Sequence, residues 1–324
     1  MSNSRTDLIV FAIGGNALVR SGEKGTFDEQ YHNVQVAVRQ IVDFMKSDNN
    51  KNRIVLTHGN GPQVGATFVR HRLAEDYYPA LPLYVCTAET QGFIGYLIEQ
   101  ALQDELDRSK MNKHVTTLLT RVIVDSNDNA FQNPTKPIGE TFDNEMTEVL
   151  LRNEMVQLRK RRVGSDRTKY KLLVPSPKPI KIINYEAIRS LVDAGFIVVA
   201  CGGGGIPVMK QNWKTLGVDA VIDKDLASER LATSIGASKL VLLTNVDGIY
   251  RNYGKKNQEF IHTVYVDTNF EQKLGLRDLE SGSIGPKVQA AISFIRNGGK
   301  EAIVCSLQHL SDALAGLSGT HFFR

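Results

Sequence analysis

The sequence predicts an α/β fold with a mostly parallel central sheet and helices on both faces. Three observations carry that prediction. Short β-branched runs alternate with helical patterns from end to end, glycine clusters follow three of the runs directly, and one proline-bracketed stretch breaks the alternation. At 324 residues the chain is long for one domain, but open α/β sheets reach this size around a single core.

The elements follow in order. Leu8–Ile13 is a short apolar run that passes directly into Gly14-Gly15-Asn16 without a cleavage-like segment, so it reads as a buried strand rather than a secretory core. Tyr31, Val34, Val38, Ile41, Val42 and Met45 then fall on one face of a helix. Arg53–Thr57 and Val115–Thr120 are the next strands. From 126 to 177 the rhythm fails: Pro134, Pro137, Pro175 and Pro177 bracket a charged segment that reads as an excursion from the sheet. Strands resume at Ile180–Ile183, Phe196–Ala200, Leu240–Thr244 and Ala302–Cys305. A helix is expected over Leu226–Ile235, and another carries Val288, Ala291, Ile292 and Ile295 on its inner face.

Composition excludes several classes. The apolar share of 42% and charged share of 23% are those of an ordinary globular protein. Three cysteines, Cys86, Cys201 and Cys305, are odd in number and show no Cys-x-x-Cys pair, so neither a disulfide framework nor a zinc site is indicated, which suits a reducing cytoplasm. No apolar stretch approaches the ~20 residues that span a bilayer, so no membrane association is expected. The net charge of +4 is unevenly spread. Arg159, Lys160, Arg161, Arg162, Arg167, Lys169 and Lys171 against the single Asp166 give +6, leaving −2 for the rest of the chain. Few aromatics interleave this cluster, so it reads as a solvated, mobile loop, and no nucleic-acid partner is expected.

In an open parallel sheet, ligands bind where strands end and helices begin. Leu8–Ile13 ends in Gly14-Gly15-Asn16, Arg53–Thr57 leads into His58-Gly59-Asn60-Gly61-Pro62, and Phe196–Ala200 leads into Gly202-Gly203-Gly204-Gly205. Backbone N–H groups in such turns can close on phosphate oxygens, because no Cβ intervenes. Neither Gly-x-x-x-x-Gly-Lys-Ser/Thr nor the dinucleotide fingerprint occurs, so the phosphates must be held by another device. Phosphoryl transfer needs cations around the moving group. Lys136 is pinned between Pro134 and Pro137, Lys224 lies between Asp223 and Asp225, and Lys287 follows Gly285-Pro286 at a helix start, where a cation is unfavourable unless it faces an anion. In an extended segment Asp223 and Asp225 would share one side and Lys224 the other. One aspartate could then orient the lysines and the other help hold a hydrated Mg2+. Asp225 as the N-cap of the following helix is the structural alternative.

Together these residues resemble the carbamate kinases of the amino-acid kinase superfamily. The matching stretches run in family order: Ala12-Ile13-Gly14-Gly15-Asn16-Ala17, Thr57 to Gly65, Asn133-Pro134-Thr135-Lys136-Pro137, Val174-Pro175-Ser176-Pro177, Gly202 to Pro207, Ala220 to Leu226, and Gly282-Ser283-Ile284-Gly285-Pro286-Lys287. The resemblance implies a three-layer α/β/α sandwich forming one domain over 1–324, with an acceptor half (about 1–178), a nucleotide half (about 179–324) and a protruding subdomain at 126–177. It implies reversible transfer of a phosphoryl group between ATP and carbamate, with Mg2+ carried on the nucleotide phosphates, small-molecule substrates and a homodimer. Lys136, Lys224, Lys287 and Asp223 match the residues around the transferred group. Gly14, Gly15, Asn16, Gly59, Asn60 and Gly61 match the acceptor and phosphate turns. Gly203, Gly204, Asp225, Thr244, Asn245, Val246, Asp247, Tyr250 and Gly285 match the nucleotide side. Competing readings are a kinase of another small carboxylate and a catalytically weak nucleotide sensor on the same scaffold. Glu89, Arg121 and Glu140 depart from the common family residues, and Arg121 is the partner expected for Glu89 by charge.

Overall fold

The computed structural model describes residues 6–15, 18–20, 22–142, 157–163, 167–267 and 284–324. Among the described residues, eight strands form the main sheet: β1 (Leu8–Ile13), β2 (Arg53–His58), β3 (Val115–Thr117), β4 (Ile197–Val199), β5 (Lys239–Thr244), β6 (Thr263–Tyr265), β7 (Glu301–Ser306) and β8 (Thr320–Phe323). Their order is β6-β8-β7-β5-β1-β2-β4-β3. Every neighbouring pair is parallel except β7 with β8.

Parallel strands covered on both faces need apolar side chains at every position, not at alternate ones. β1 shows why. Leu8, Val10 and Ala12 enter the core on one face, while Ile9, Phe11 and Ile13 enter the core on the other. The helices are α1 (Phe27–Ser47), α2 (Gly61–Leu73), α3 (Leu83–Arg108), α4 (Tyr185–Asp193), α5 (Lys224–Ser234), α6 (Ile284–Arg296) and α7 (Leu310–Leu314). α4, α5 and α6 pack on the first face, and α1, α3 and α7 on the second. The three layers expected from the sequence are present. α1 opens with a capping box in which Thr26 and Glu29 each accept an N–H from the other's backbone.

The excursion at 126–177 contains more order than its sequence suggested. Lys136–Phe142, Gln157–Val163 and Arg167–Val174 form an antiparallel sheet with Arg167–Val174 in the centre. Arg159 to Arg162 and Arg167, Lys169 and Lys171 therefore lie on two paired strands rather than in a loop. A third core joins this layer to the rest: Ile138, Leu172 and Val174 pack with Val64, Phe68 and Val69 of α2 and with Leu83 and Cys86 of α3. At the contact, a Cβ on Gly65 would lie 2.2 Å from the Cα and N of Gly139, so α2 and the Lys136–Phe142 strand touch backbone to backbone.

The segment 180–183 also departs from expectation. Lys181–Ile182 pairs antiparallel with Arg121–Ile123 at the edge of a separate four-stranded sheet completed by Ile206–Gln211 and Lys214–Gly217. Pro177 and Pro179 lack the N–H groups a central strand needs, which leaves this short segment an edge role. No described helix is long and apolar enough to cross a membrane.

Candidate active site

The glycine turns and the lysines meet at the carboxyl ends of β1, β2 and β5. There they line a cavity of about 250 Å³ walled by Gly14, Gly15, Gly59, Asn60, Gly61, Lys136, Gly203, Asp223, Lys224, Asp225, Thr244, Asn245 and Lys287, together with Pro62, Pro137, Ile222, Leu243 and Pro286. A second cavity of about 370 Å³ shares Gly14, Leu243, Thr244 and Asn245 with it and adds Asp247 and Arg20.

Of the remaining residues singled out in the sequence, Asn16 lies outside the described residues. Gly204 is wedged against the Ile222 carbonyl, where an added Cβ would approach to 2.4 Å. Tyr250 packs edge-on to Phe260 at 5.0 Å between ring centres. Val246 follows Asn245 in the loop after β5, and Gly285 lies in the first turn of α6, two residues before Lys287.

Three lysines from three elements converge on two aspartates. Lys136 Nζ donates to Asp223 Oδ2 at 2.8 Å, Lys224 Nζ to Asp225 Oδ1 at 2.6 Å, and Lys287 Nζ to Asp225 Oδ2 at 3.0 Å. The segment around Lys224 is not extended, as the alternation of charges suggested. Asp223 is the N-cap of α5 and its Oδ1 accepts the Asp225 N–H, so Lys224 and Asp225 already lie in the first helical turn. The capping role offered to Asp225 therefore belongs to Asp223. This frees Asp225 to act as a buried counter-ion shared by two lysines.

Among the described residues, these are three ammonium groups paired with two carboxylates at the cavity wall. Burial would raise the Asp223 pKa, but the Lys136 ion pair and hydrogen bond, and then Lys224, hold it down to about 2. Burial lowers the Lys224 pKa, with repulsion from Lys287 in the same direction and attraction from Asp225 against it.

The turns are built to fit closely. Gly59 sits where a Cβ would meet Gly15 N at 3.1 Å and the Lys224 stem at 3.3 Å. Asn60 directs its amide to Thr90 Oγ1 on α3 at 2.9 Å and makes no side-chain cap, so it leaves uncapped the start of α2, where Gly61 lines the cavity. In the third turn, Gly203 has φ +63°, and a Cβ there would meet the Asn60 amide at 2.2 Å. His58 is buried beneath these turns, with Nδ1 placed to donate to the Gly59 carbonyl at 3.0 Å. Burial, then the charge of Lys224, depresses its pKa to about 4.

Sequence reasoning missed His58 and Thr90. His58 stands inside the matched Thr57 to Gly65 stretch, but that placement gives it no role, and Thr90 lies outside the matched stretches; the roles of both appear only when β2, α3 and the turns are assembled. The expected Glu89–Arg121 pair is also absent. Glu89 instead meets His71 Nε2 at 3.0 Å, while the backbone N–H of Arg121 donates to Asn184 Oδ1 at 3.2 Å. The α2–α3 contact brings His71 to Glu89, a proximity that charge counting along the chain cannot show.

The model of the amino acid kinase family matches residues 7–306. The carbamate kinase of Pyrococcus horikoshii is 43% identical over 314 residues, covering 96% of this chain and 98% of that protein. That of Trichomonas vaginalis is 44% identical over 315 residues, again 96% of this chain and 98% of the other. Among solved structures, the carbamate kinase from Giardia lamblia bound to AMP-PNP superposes with a TM-score of 0.87 at 37% identity, covering 98% of each chain.

Proposed function

The chain belongs to the carbamate kinases of the amino acid kinase family, and from that premise we propose that the lysine-lined cavity is where it transfers a phosphoryl group reversibly between ATP and carbamate. The observation that carries the assignment is the pairing of Lys224 and Lys287 on Asp225, with Lys136 on Asp223 beside them.

A carbamate oxygen is ionised from the outset, so no general base has to remove a proton. That oxygen attacks the γ-phosphorus as the bond to the bridging oxygen breaks, and the electron pair leaves with ADP. In reverse, a terminal oxygen of ADP attacks the phosphorus of carbamoyl phosphate and carbamate departs. Lys136, Lys224 and Lys287 face the charge that spreads over the equatorial oxygens, and Asp223 and Asp225 hold their ammonium groups in place before substrate arrives. The Gly14-Gly15 and Gly59-Asn60-Gly61 turns present N–H groups to acceptor and phosphate. Gly203, Thr244, Asn245 and Asp247 line the nucleotide side, which makes residues up to about 178 the acceptor half and those beyond it the nucleotide half.

Mg2+ is part of this proposal. Both oxygens of Asp225 and both of Asp223 are already engaged, so the donors fit an ion held through nucleotide phosphates and water rather than by a carboxylate cage. When bound, it supplies further neutralisation of phosphate charge. The protein should act as a homodimer, a reading supported by the exposed Phe93 and Tyr96 one turn apart on α3. A cytoplasmic location is supported by three buried free cysteines. The test of the site is a coupled assay of ADP plus carbamoyl phosphate, read as ATP formed. Replacing the three lysines by alanine one at a time should each cut turnover by about a hundredfold or more. Near-normal turnover in all three variants would place the chemistry elsewhere.

A further inference from the structure

Away from the cavity, α2 and α3 bring together three side chains whose chemistry phosphoryl transfer does not use. His71 lies in the last turn of α2, and Cys86 and Glu89 lie three residues apart on α3, hence on one helical face. One nitrogen, one sulfur and one carboxylate oxygen from these residues all lie within 4.8 Å of one another. Cys86 is fully buried and Glu89 is exposed, so the group runs from the interhelical core out to solvent. Burial, and then the charges of Glu89 and Asp219, push the Cys86 thiol up to about 12, with Arg72 as the opposing cation. Arg72 is itself turned to Glu75 at 3.1 Å.

We propose that His71, Cys86 and Glu89 form a binding site for a Zn2+-class transition-metal ion, distinct from any magnesium carried by the nucleotide. Imidazole, thiolate and carboxylate are the ligand set such an ion selects over Mg2+, and three protein ligands leave a fourth, tetrahedral position for water. Bonds of about 2.0–2.3 Å place tetrahedral ligands roughly 3.5 Å apart, so the three groups need only a small contraction. The hydrogen bond between His71 and Glu89 gives way as both turn to the metal. The thiol proton passes to solvent as the sulfur–metal bond forms, and no electron is transferred. The ion would fasten the end of α2 to α3 close to Thr90, which holds Asn60 at the start of α2.

Cobalt(II) titration of the purified full-length chain tests this, because cobalt bound to a thiolate gives charge-transfer absorption in the near ultraviolet and tetrahedral bands in the visible. The wild-type protein should develop both at one equivalent. A hundredfold excess of Zn2+ over its dissociation constant should abolish them and raise Tm by about 3 °C or more. Cys86→Ala should lose the charge-transfer band. Glu89→Gln, at an exposed position that does not endanger folding, should weaken binding by at least about tenfold. Absence of the thiolate band in the wild-type protein, its survival in Cys86→Ala, or unchanged affinity in Glu89→Gln would each overturn the proposal.

Discussion

Strand β1 is buried at all six positions and hydrogen-bonded along both edges, whereas the Lys136–Phe142 strand is buried at two of seven and, among the described residues, paired along one edge. The helices packed on the main sheet bring Lys224 and Lys287 to a shared buried carboxylate, so those cations are part of the core. Lys136 arrives from a thinner layer, fastened by the Gly65–Gly139 contact and by Asp223. The difference teaches that the proposed catalytic group is built from cations of unequal structural standing. Removing a core lysine should disturb fold and chemistry together, and removing the outer one chemistry alone.

The most severe way to break this comparison is to replace 127–170 with a short Gly/Ser linker. Transfer should be abolished while a cooperative melt and measurable nucleotide binding remain, at a lower Tm because Val64 and Phe68 lose Ile138. Undiminished transfer in that variant would remove the outer layer from the mechanism.

Single lysines sharpen it. Lys136→Ala and Lys287→Ala should both lower turnover by about a hundredfold or more. Denaturant titration should then separate them. Lys287→Ala should cost about 1–3 kcal/mol, because buried Asp225 keeps only Lys224, and Lys136→Ala about 1 kcal/mol or less. Equal stability losses would dissolve the distinction between core and outer cations.

A smaller effect comes from Gly65→Ala. The new methyl group must push the Gly139 backbone outward, and Lys136 moves with its strand. Turnover should fall about tenfold, since misplacement by about 1 Å can cost up to a hundredfold, while nucleotide affinity stays near the wild-type value.

The core side of the site should also respond to pH. His58 titrates near 4 in the folded chain, below its usual 6.5. The unfolded chain therefore binds the proton first as pH falls, so the contribution of His58 to stability should decline from about pH 6.5 to about pH 4 and level off below, where protonation of Asp223, held to about 2, continues the loss. Melts of wild type and His58→Gln across this range read the difference, which should be a flatter profile in the variant. The smallest expected effect is at the surface. Glu89→Ser and Arg121→Gln should be additive in turnover over substrate affinity to within about 0.5 kcal/mol, because the two side chains do not meet.

The same contrast governs what was legible in the sequence. β1, β2 and β5 announce themselves as unbroken apolar runs, since both faces of each are covered. The strands at 157–163 and 167–174 are dense in Arg and Lys and carry no such run, so their pairing stays hidden in a one-dimensional reading. β6 and β8, at and next to the sheet edge, are three and four residues long, too short for a periodic signal. Within the site, Lys136, Lys224 and Lys287 were marked by prolines, aspartates and a helix start. Asp225 as a shared counter-ion was not, because its second partner lies 62 residues away. Gly65 and Gly139 looked like ordinary glycines until α2 met the strand.

The position of β1 has a consequence for how the chain is made. It lies between β2, which follows some forty residues later, and β5, whose pairing joins Ile9 to Lys239 and Ala12 to Leu242. A ribosome has therefore released well over two hundred residues before the first strand finds its second neighbour. Until then one edge of β1 and much of the apolar surface beside it stay open. A topology so rich in distant contacts folds slowly and exposes sticky intermediates, so translation rate and chaperone supply, more than final stability, should govern the yield of active enzyme.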